Sequence, residues 1–104
     1  MDMIKIVADP RRREILRLCW DGESAAGDLA AHFDITFGAV SQHLKVLRDA
    51  GLVSVRRHGA HRYYRANRDE LGSLADYLES LWSDQVDRLS VLAESVEARE
   101  GRRG

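Results

Sequence analysis

Apolar side chains recur at helical spacing along the first half of the chain, switch once to an alternating pattern, and then return to helical spacing. A short first helix is predicted from Met3 to about Val7. Asp9-Pro10 opens a second helix, with Asp at the N-cap and Pro at the first helical position, where its missing N–H costs nothing. Ile15, Leu16, Cys19 and Trp20 form its core-facing stripe, and Asp21-Gly22 is expected to end it. Ser24 is placed to cap a third helix through Phe33, with Leu29, Ala30 and Phe33 inward. After the tight link Asp34-Ile35, Thr36 caps a fourth helix to about Ala50, and Gly51 stops it in the left-handed C′ position. Two capped helices joined by a short turn are the outline of a helix-turn-helix.

The alternating stretch follows. Leu52 to His58 and His61 to Ala66 read as paired strands, and Gly59-Ala60 fits a two-residue type II′ turn, which needs Gly first. Asn67 or Asp69 then caps a long final helix carrying Leu71, Leu74, Leu78, Leu81, Trp82, Val86, Leu89, Leu92 and Val96. Those spacings are mostly three and four, close to a heptad seam. A small domain has little surface left to cover such a stripe, so Leu71, Leu74, Leu78, Leu81, Trp82, Leu89 and Leu92 are expected to pair with a second copy of the chain. The alternative is a helix folded back on its own domain. The fold class is therefore mainly α with a small β-hairpin, a winged helix-turn-helix with a long C-terminal dimerisation helix. The organisation expected is one domain over residues 1–104: helices and basic hairpin in 1–68, dimerisation helix in 69–98, and a disordered tail in 99–104.

Composition changes the picture little: 44% apolar and 32% charged residues describe an ordinary globular chain. The amino end lacks the apolar core of a secretory signal, and no stretch approaches the roughly 18 apolar residues of a membrane span, so a cytoplasmic protein is expected. The single cysteine agrees with a reducing compartment. The net charge of −1 hides an asymmetry, since residues 1–68 carry +4 and residues 69–104 carry −5. A basic front suits a phosphate-bearing partner, and an acidic back leaves the other face for a partner chain.

The fourth helix carries the candidate chemistry. Ala39, Val40, Leu44, Val46 and Leu47 share one arc; Gly38, Ser41, Gln42, Lys45, Arg48 and Asp49 fill the other. Small, amide and basic groups are what a DNA major groove accepts: Gln pairs with adenine, Ser contacts several bases, and Lys or Arg reaches guanine or phosphate. Thr36 sits at the helix start, where free N–H groups favour a phosphate. His43 lies at the edge of the core arc, either packed or on DNA. Arg56, Arg57, Arg62 and Arg65, with His58 and His61, make the hairpin a basic wing suited to a DNA backbone or minor groove, although edge strands also carry charge to prevent aggregation. Arg11, Arg12 and Arg13 are either phosphate contacts or a solvated charge run.

At these residues a resemblance becomes specific. Ala8 to Leu16, Asp28-Leu29-Ala30, Val40 to Val53 and Tyr63-Tyr64-Arg65 resemble, in one register over about residues 3–95, the ArsR/SmtB family of bacterial repressors. The resemblance implies a winged helical domain, dimerisation through the first and last helices, and operator binding released by an inducer. Carried onto this chain, the reading helix is Thr36–Asp49 and the wing Arg56–Arg65.

The chain departs from the family where metal-sensing members place a Cys-x-Cys pair, for those positions hold Ala25 and Gly27. It also has no His after His61, and Asp76, Glu79, Asp84 and Asp87 alone suit soft metals poorly. No metal and no cofactor are therefore expected. Cys19 lies on the apolar stripe and reads as a small buried hydrophobe rather than a redox thiol, and His32 reads as a surface residue. An enzyme is not expected, because no phosphate loop, metal spacing or nucleophile set is present. The expected function is sequence-specific duplex-DNA binding by a dimeric repressor on a pseudo-palindromic operator, its inducer unidentified. The alternative is a winged-helix module that binds a protein partner.

Overall fold

The computed structural model describes residues 2–83. The chain divides after Gly72 into two units, Met1–Gly72 and Ser73–Gly104. The first contains α1 (Met3–Ala8), α2 (Pro10–Leu18), β1 (Ser24–Ala25), α3 (Ala26–Ala31), α4 (Phe37–Asp49), β2 (Val53–His58), β3 (His61–Ala66) and α5 (Arg68–Leu71). In the second unit the described residues 73–83 are helical, here α6.

Local signals set most of these boundaries. The Asp9 carboxylate accepts from the amides of Arg11 (2.8 Å) and Arg12 (3.3 Å), with Pro10 at the first turn. Burial opposes its ionisation, but those two amides hold its pKa below the ordinary carboxylate range. Thr36 Oγ accepts from the Ala39 amide at 3.1 Å and starts α4. At the other end of α4, Gly51 adopts φ +77°, its N–H donating to the Arg48 carbonyl and the Leu52 N–H to that of Leu47, both at 2.9 Å. That is a Schellman stop, and its usual apolar contact is available because Leu47 and Leu52 are both completely buried.

The core of the first unit comprises Ile6, Val7, Ile15, Leu16, Cys19, Leu29, Val40, Leu44, Leu47, Leu52, Val53, Tyr64, Ala66 and Leu71. Helix α4 lies at its centre and packs on α2, α3 and β2. Cys19 has no exposed surface, and burial pushes its thiol up to about 11. It is a core hydrophobe with its nucleophilic form suppressed.

Four boundaries differ from expectation. Helix α2 stops at Leu18, with Cys19 rather than Asp21-Gly22 at its end. Ser24 does not cap α3; it sits in β1, pairs with Tyr64, and donates its hydroxyl to the Leu18 carbonyl at 3.0 Å. Helix α3 consequently starts after Ala25 without a side-chain cap and ends at Ala31, short of Phe33. The hairpin thereby becomes a three-stranded antiparallel sheet in the order β1-β3-β2. The final helix is also not continuous: Gly72 at φ +56°, ψ −127° interrupts it after one turn. Asn67 does not cap that turn with its side chain, which instead accepts from Ser54 Oγ at 2.6 Å and donates to the Gly51 carbonyl at 2.9 Å. The predicted continuation through Val86, Leu89, Leu92 and Val96, and the tail, lie outside the described residues.

Candidate nucleic-acid interface

Helix α4 divides its side chains as the pattern requires. Val40, Leu44 and Leu47 are buried, and Ala39 and Val46 half-buried. Thr36, Gly38, Ser41, Gln42, Lys45, Arg48 and Asp49 are exposed. The side chains of Ser41, Gln42 and Lys45 make no hydrogen bond or ion pair with any described residue. Arg48 reaches only its neighbour Asp49, at 3.5 Å, between two half-exposed side chains. That contact is too long and too wet to hold a guanidinium. His43 is half-buried and close enough to Asp9 to stabilise its charge, which places it toward α2.

The wing stands beside this face. Gly59 alone carries the turn's positive φ, +62°, and Ala60 does not share it, as a type II′ turn requires. The register sets Val53 opposite Ala66, Val55 opposite Tyr64 and Arg57 opposite Arg62. Alternation places these three pairs on one side of the sheet. The first two belong to its inner side, since Val53, Ala66 and Tyr64 are buried. Toward the tip, that same side therefore ends in two exposed guanidiniums facing each other across the ladder, with no ion-pair partner among the described residues. Like charges directly opposite destabilise a sheet unless an anion joins them. Arg62 and Ser41 line one open cleft of about 480 Å³, together with Phe37, Val40, Leu44 and Tyr64. The outer arc of α4 and the wing tip thus border a common space.

Arg56 behaves differently from its neighbours. Its guanidinium grips the Glu23 carboxylate through Nε (3.0 and 3.1 Å) and Nη2 (2.8 Å), and stacks over the Tyr63 ring at 4.7 Å. The hydrogen bonds from Arg56 hold Glu23 below its ordinary pKa, with Arg65 adding a smaller attraction. Arg56 is therefore a brace at the wing's root. Glu23 and Tyr63, absent from the sequence-based candidates, complete that brace. A third unforeseen residue is Phe37, at the first position of α4 and 63% exposed.

The arginines before α4 also find internal partners. Arg12 Nε donates to the Ile6 carbonyl at 2.8 Å and so helps satisfy the open C-terminal end of α1, whereas Arg13 only approaches the Ala8 carbonyl, at 3.5 Å and exposed. Arg17 bonds Glu14, which also lies 3.2 Å from His32 Nε2. Of the predicted pairing leucines, Leu71 and Leu78 are already buried in one chain, while Leu74, Leu81 and Trp82 are half-buried. Leu89 and Leu92 lie outside the described residues.

Comparison with known proteins gives a consistent result. The family model for bacterial regulatory proteins of the arsR family matches residues 9–55. The arsenical resistance operon repressor of Staphylococcus xylosus is 37% identical over 84 residues, covering 80% of this chain and 81% of that protein. The crystal structure of a possible transcriptional regulator for arsenical resistance is 42% identical, covers 88% of this chain and 95% of its own, and superposes with a TM-score of 0.68. The homodimeric winged helix-turn-helix DNA-binding domain of Mb0332 from Mycobacterium bovis is 30% identical, with coverage of 77% and 74% and a TM-score of 0.64.

Proposed function

Since the chain belongs to the ArsR family of bacterial regulatory proteins, we propose that it is a dimeric repressor that reads duplex DNA with α4 and grips the backbone with its wing. One observation carries this reading. Ser41 on α4 and Arg62 on the wing line one open cleft, and neither their side chains nor those of the exposed Gln42, Lys45 and Arg57 on the same elements are held by another described residue. Gln42 and Ser41 supply base discrimination; Lys45, Arg57 and Arg62 supply attraction to phosphate. The amides at the start of α4, beside Thr36, suit one phosphate. Arg56 contributes by holding the wing at its angle rather than by touching DNA.

Pairing would present two copies of α4 to successive major grooves about 34 Å apart on a pseudo-palindromic operator. Ile4 of α1 is 65% exposed and Tyr77 of α6 56% exposed. Each offers apolar surface to a second chain, Tyr77 together with the half-buried Leu74, Leu81 and Trp82 of its own helix. Occupying the operator then blocks polymerase.

The metal chemistry of some relatives does not fit these residues. Ala25 and Gly27 offer no ligating atom, and Cys19 is sealed in the core. Among the described residues no group of three His, Cys, Asp or Glu side chains could hold a metal. No step of the proposed function runs through one.

A protein-binding role would require a continuous apolar patch on α4's outer arc, and the single exposed Phe37 is flanked there by Gly38 and Ser41. The test is a gel shift with fragments of the source genome at 50 and 200 mM salt. Retention at low salt that falls steeply at high salt is expected. Failure to shift at low salt, or indifference to salt, counts against DNA.

A further inference from the structure

We infer that Phe37 reads the methyl group of a thymine in the major groove, a specificity contact additional to Ser41 and Gln42; this rests on the DNA-reading function above. Only Ile4, Phe37 and Tyr77 among the described residues are large hydrophobics left exposed. Ile4 and Tyr77 lie on α1 and α6, where a partner chain would cover them, whereas Phe37 lies on the side given to DNA. It is the first residue of α4, directly after the Thr36 cap that fixes the turn. The N-terminal residues of a reading helix are the ones that come nearest base edges. Ser41 follows one turn later, and the two side chains border the same cleft as Arg62.

The neighbour strengthens the assignment. Gly38 is exposed, and a β-carbon built there would meet no atom of the chain within 4 Å. The backbone beside the ring is thus bare, so a surface can come close without displacing a side chain. What such a surface offers an aromatic ring is settled by groove chemistry. The base edges in the major groove are polar except for the C5-methyl of thymine. An exposed ring set among Ser41, Gln42 and Lys45 has that one apolar group to bury against.

Deleting the methyl without altering base pairing tests this directly. The full chain would select its site from a pool of randomised duplexes. The selected duplex is then remade with each thymine replaced in turn by deoxyuridine. At one thymine per half-site, the wild-type chain should lose about fourfold in affinity, the value of one buried methyl. Phe37→Ala should bind the unmodified duplex more weakly and lose nothing further at that position. Phe37→Leu, which keeps an apolar tip, should retain part of the loss. A selected duplex whose affinity is indifferent to every deoxyuridine, or an equal loss in Phe37→Ala, overturns the inference while leaving the regulator intact. If no duplex is retained at low salt, the DNA-reading function fails and the inference with it.

Discussion

Helices α2 and α4 begin alike and end in different trades. Both open on a side-chain cap, Asp9 on the Arg11 and Arg12 amides and Thr36 on that of Ala39. Both are basic, α2 with Arg11, Arg12, Arg13 and Arg17, α4 with Lys45 and Arg48. Yet two of the four guanidiniums on α2 are engaged within the protein, Arg12 on the Ile6 carbonyl and Arg17 on Glu14. On α4, the side chains of Ser41, Gln42 and Lys45 make no hydrogen bond or ion pair among the described residues. The difference lies in what precedes each helix. Helix α1 ends directly before α2 and presents unsatisfied carbonyls to its first turn, whereas a five-residue connection separates α3 from α4. A run of positive charge says little about an external anion until nearby internal acceptors have been counted.

The largest expected effect tests the inner face that the two helices share. Leu47 is completely buried, so Leu47→Ala should remove about 2–5 kcal/mol from urea-induced unfolding. A loss below about 1 kcal/mol would mean that α4 is not seated on the core as described. Next comes the outer face. Gln42→Ala should leave unfolding unchanged while erasing about 1–3 kcal/mol of discrimination at one base pair of the selected site. Uniform weakening across all sequences would assign Gln42 to the backbone instead.

Near 1 kcal/mol the two helices can be set against each other. Arg12→Ala should cost about 1 kcal/mol of stability, by freeing the Ile6 carbonyl, and leave the salt dependence of DNA binding unaltered. Lys45→Ala should do the reverse, lowering the salt slope by about one and sparing stability. Should Arg12→Ala flatten the slope as well, α2 also touches phosphate and the contrast fails. Asp9→Ala should cost about 1 kcal/mol at neutral pH. Because the folded carboxyl titrates below its unfolded value, that contribution is present at neutral pH and disappears as the solution is acidified through the folded pKa. The variant and the wild type should therefore differ in unfolding at pH 7 and converge progressively as the pH is lowered through the folded pKa.

The features of α4 were legible because every signal for them is local: a Thr cap, a stripe at helical period, and a Gly at the stop. The same holds for the wing's turn, which Gly59 dictates. What escaped depends on distant chain. Strand β1 is two residues long and exists only because Tyr63 and Tyr64 return to pair with it, so Ser24 reads locally as a cap. Arg56 looks as free as Arg57 until Glu23, 33 residues earlier, is brought beside it. Gly72 breaks a pattern that the leucines alone would continue, since leucine spacing records burial rather than backbone continuity. Phe37 escaped for a different reason. An apolar residue in the first turn belongs to no stripe, and only the folded geometry reveals that it is left largely exposed.

Gly38→Ala carries the smallest change in free energy and the sharpest test of sign. Glycine within a helix costs roughly 0.5–1 kcal/mol relative to alanine. Gly38 is not among the glycines with positive φ, and an added methyl would meet no atom of the chain within 4 Å. Nothing inside the protein therefore accounts for the missing side chain. The variant should unfold about 0.5 kcal/mol later, as a substitution compatible with the native backbone does. If the start of α4 lies against a groove, the same methyl intrudes on the DNA, and affinity for the selected duplex should fall severalfold. Stability and binding would then move in opposite directions, a pattern that damage to the fold cannot produce. A variant both more stable and equally tight in binding would place the first turn of α4 away from the duplex, leaving α2 and α4 distinguished by packing alone.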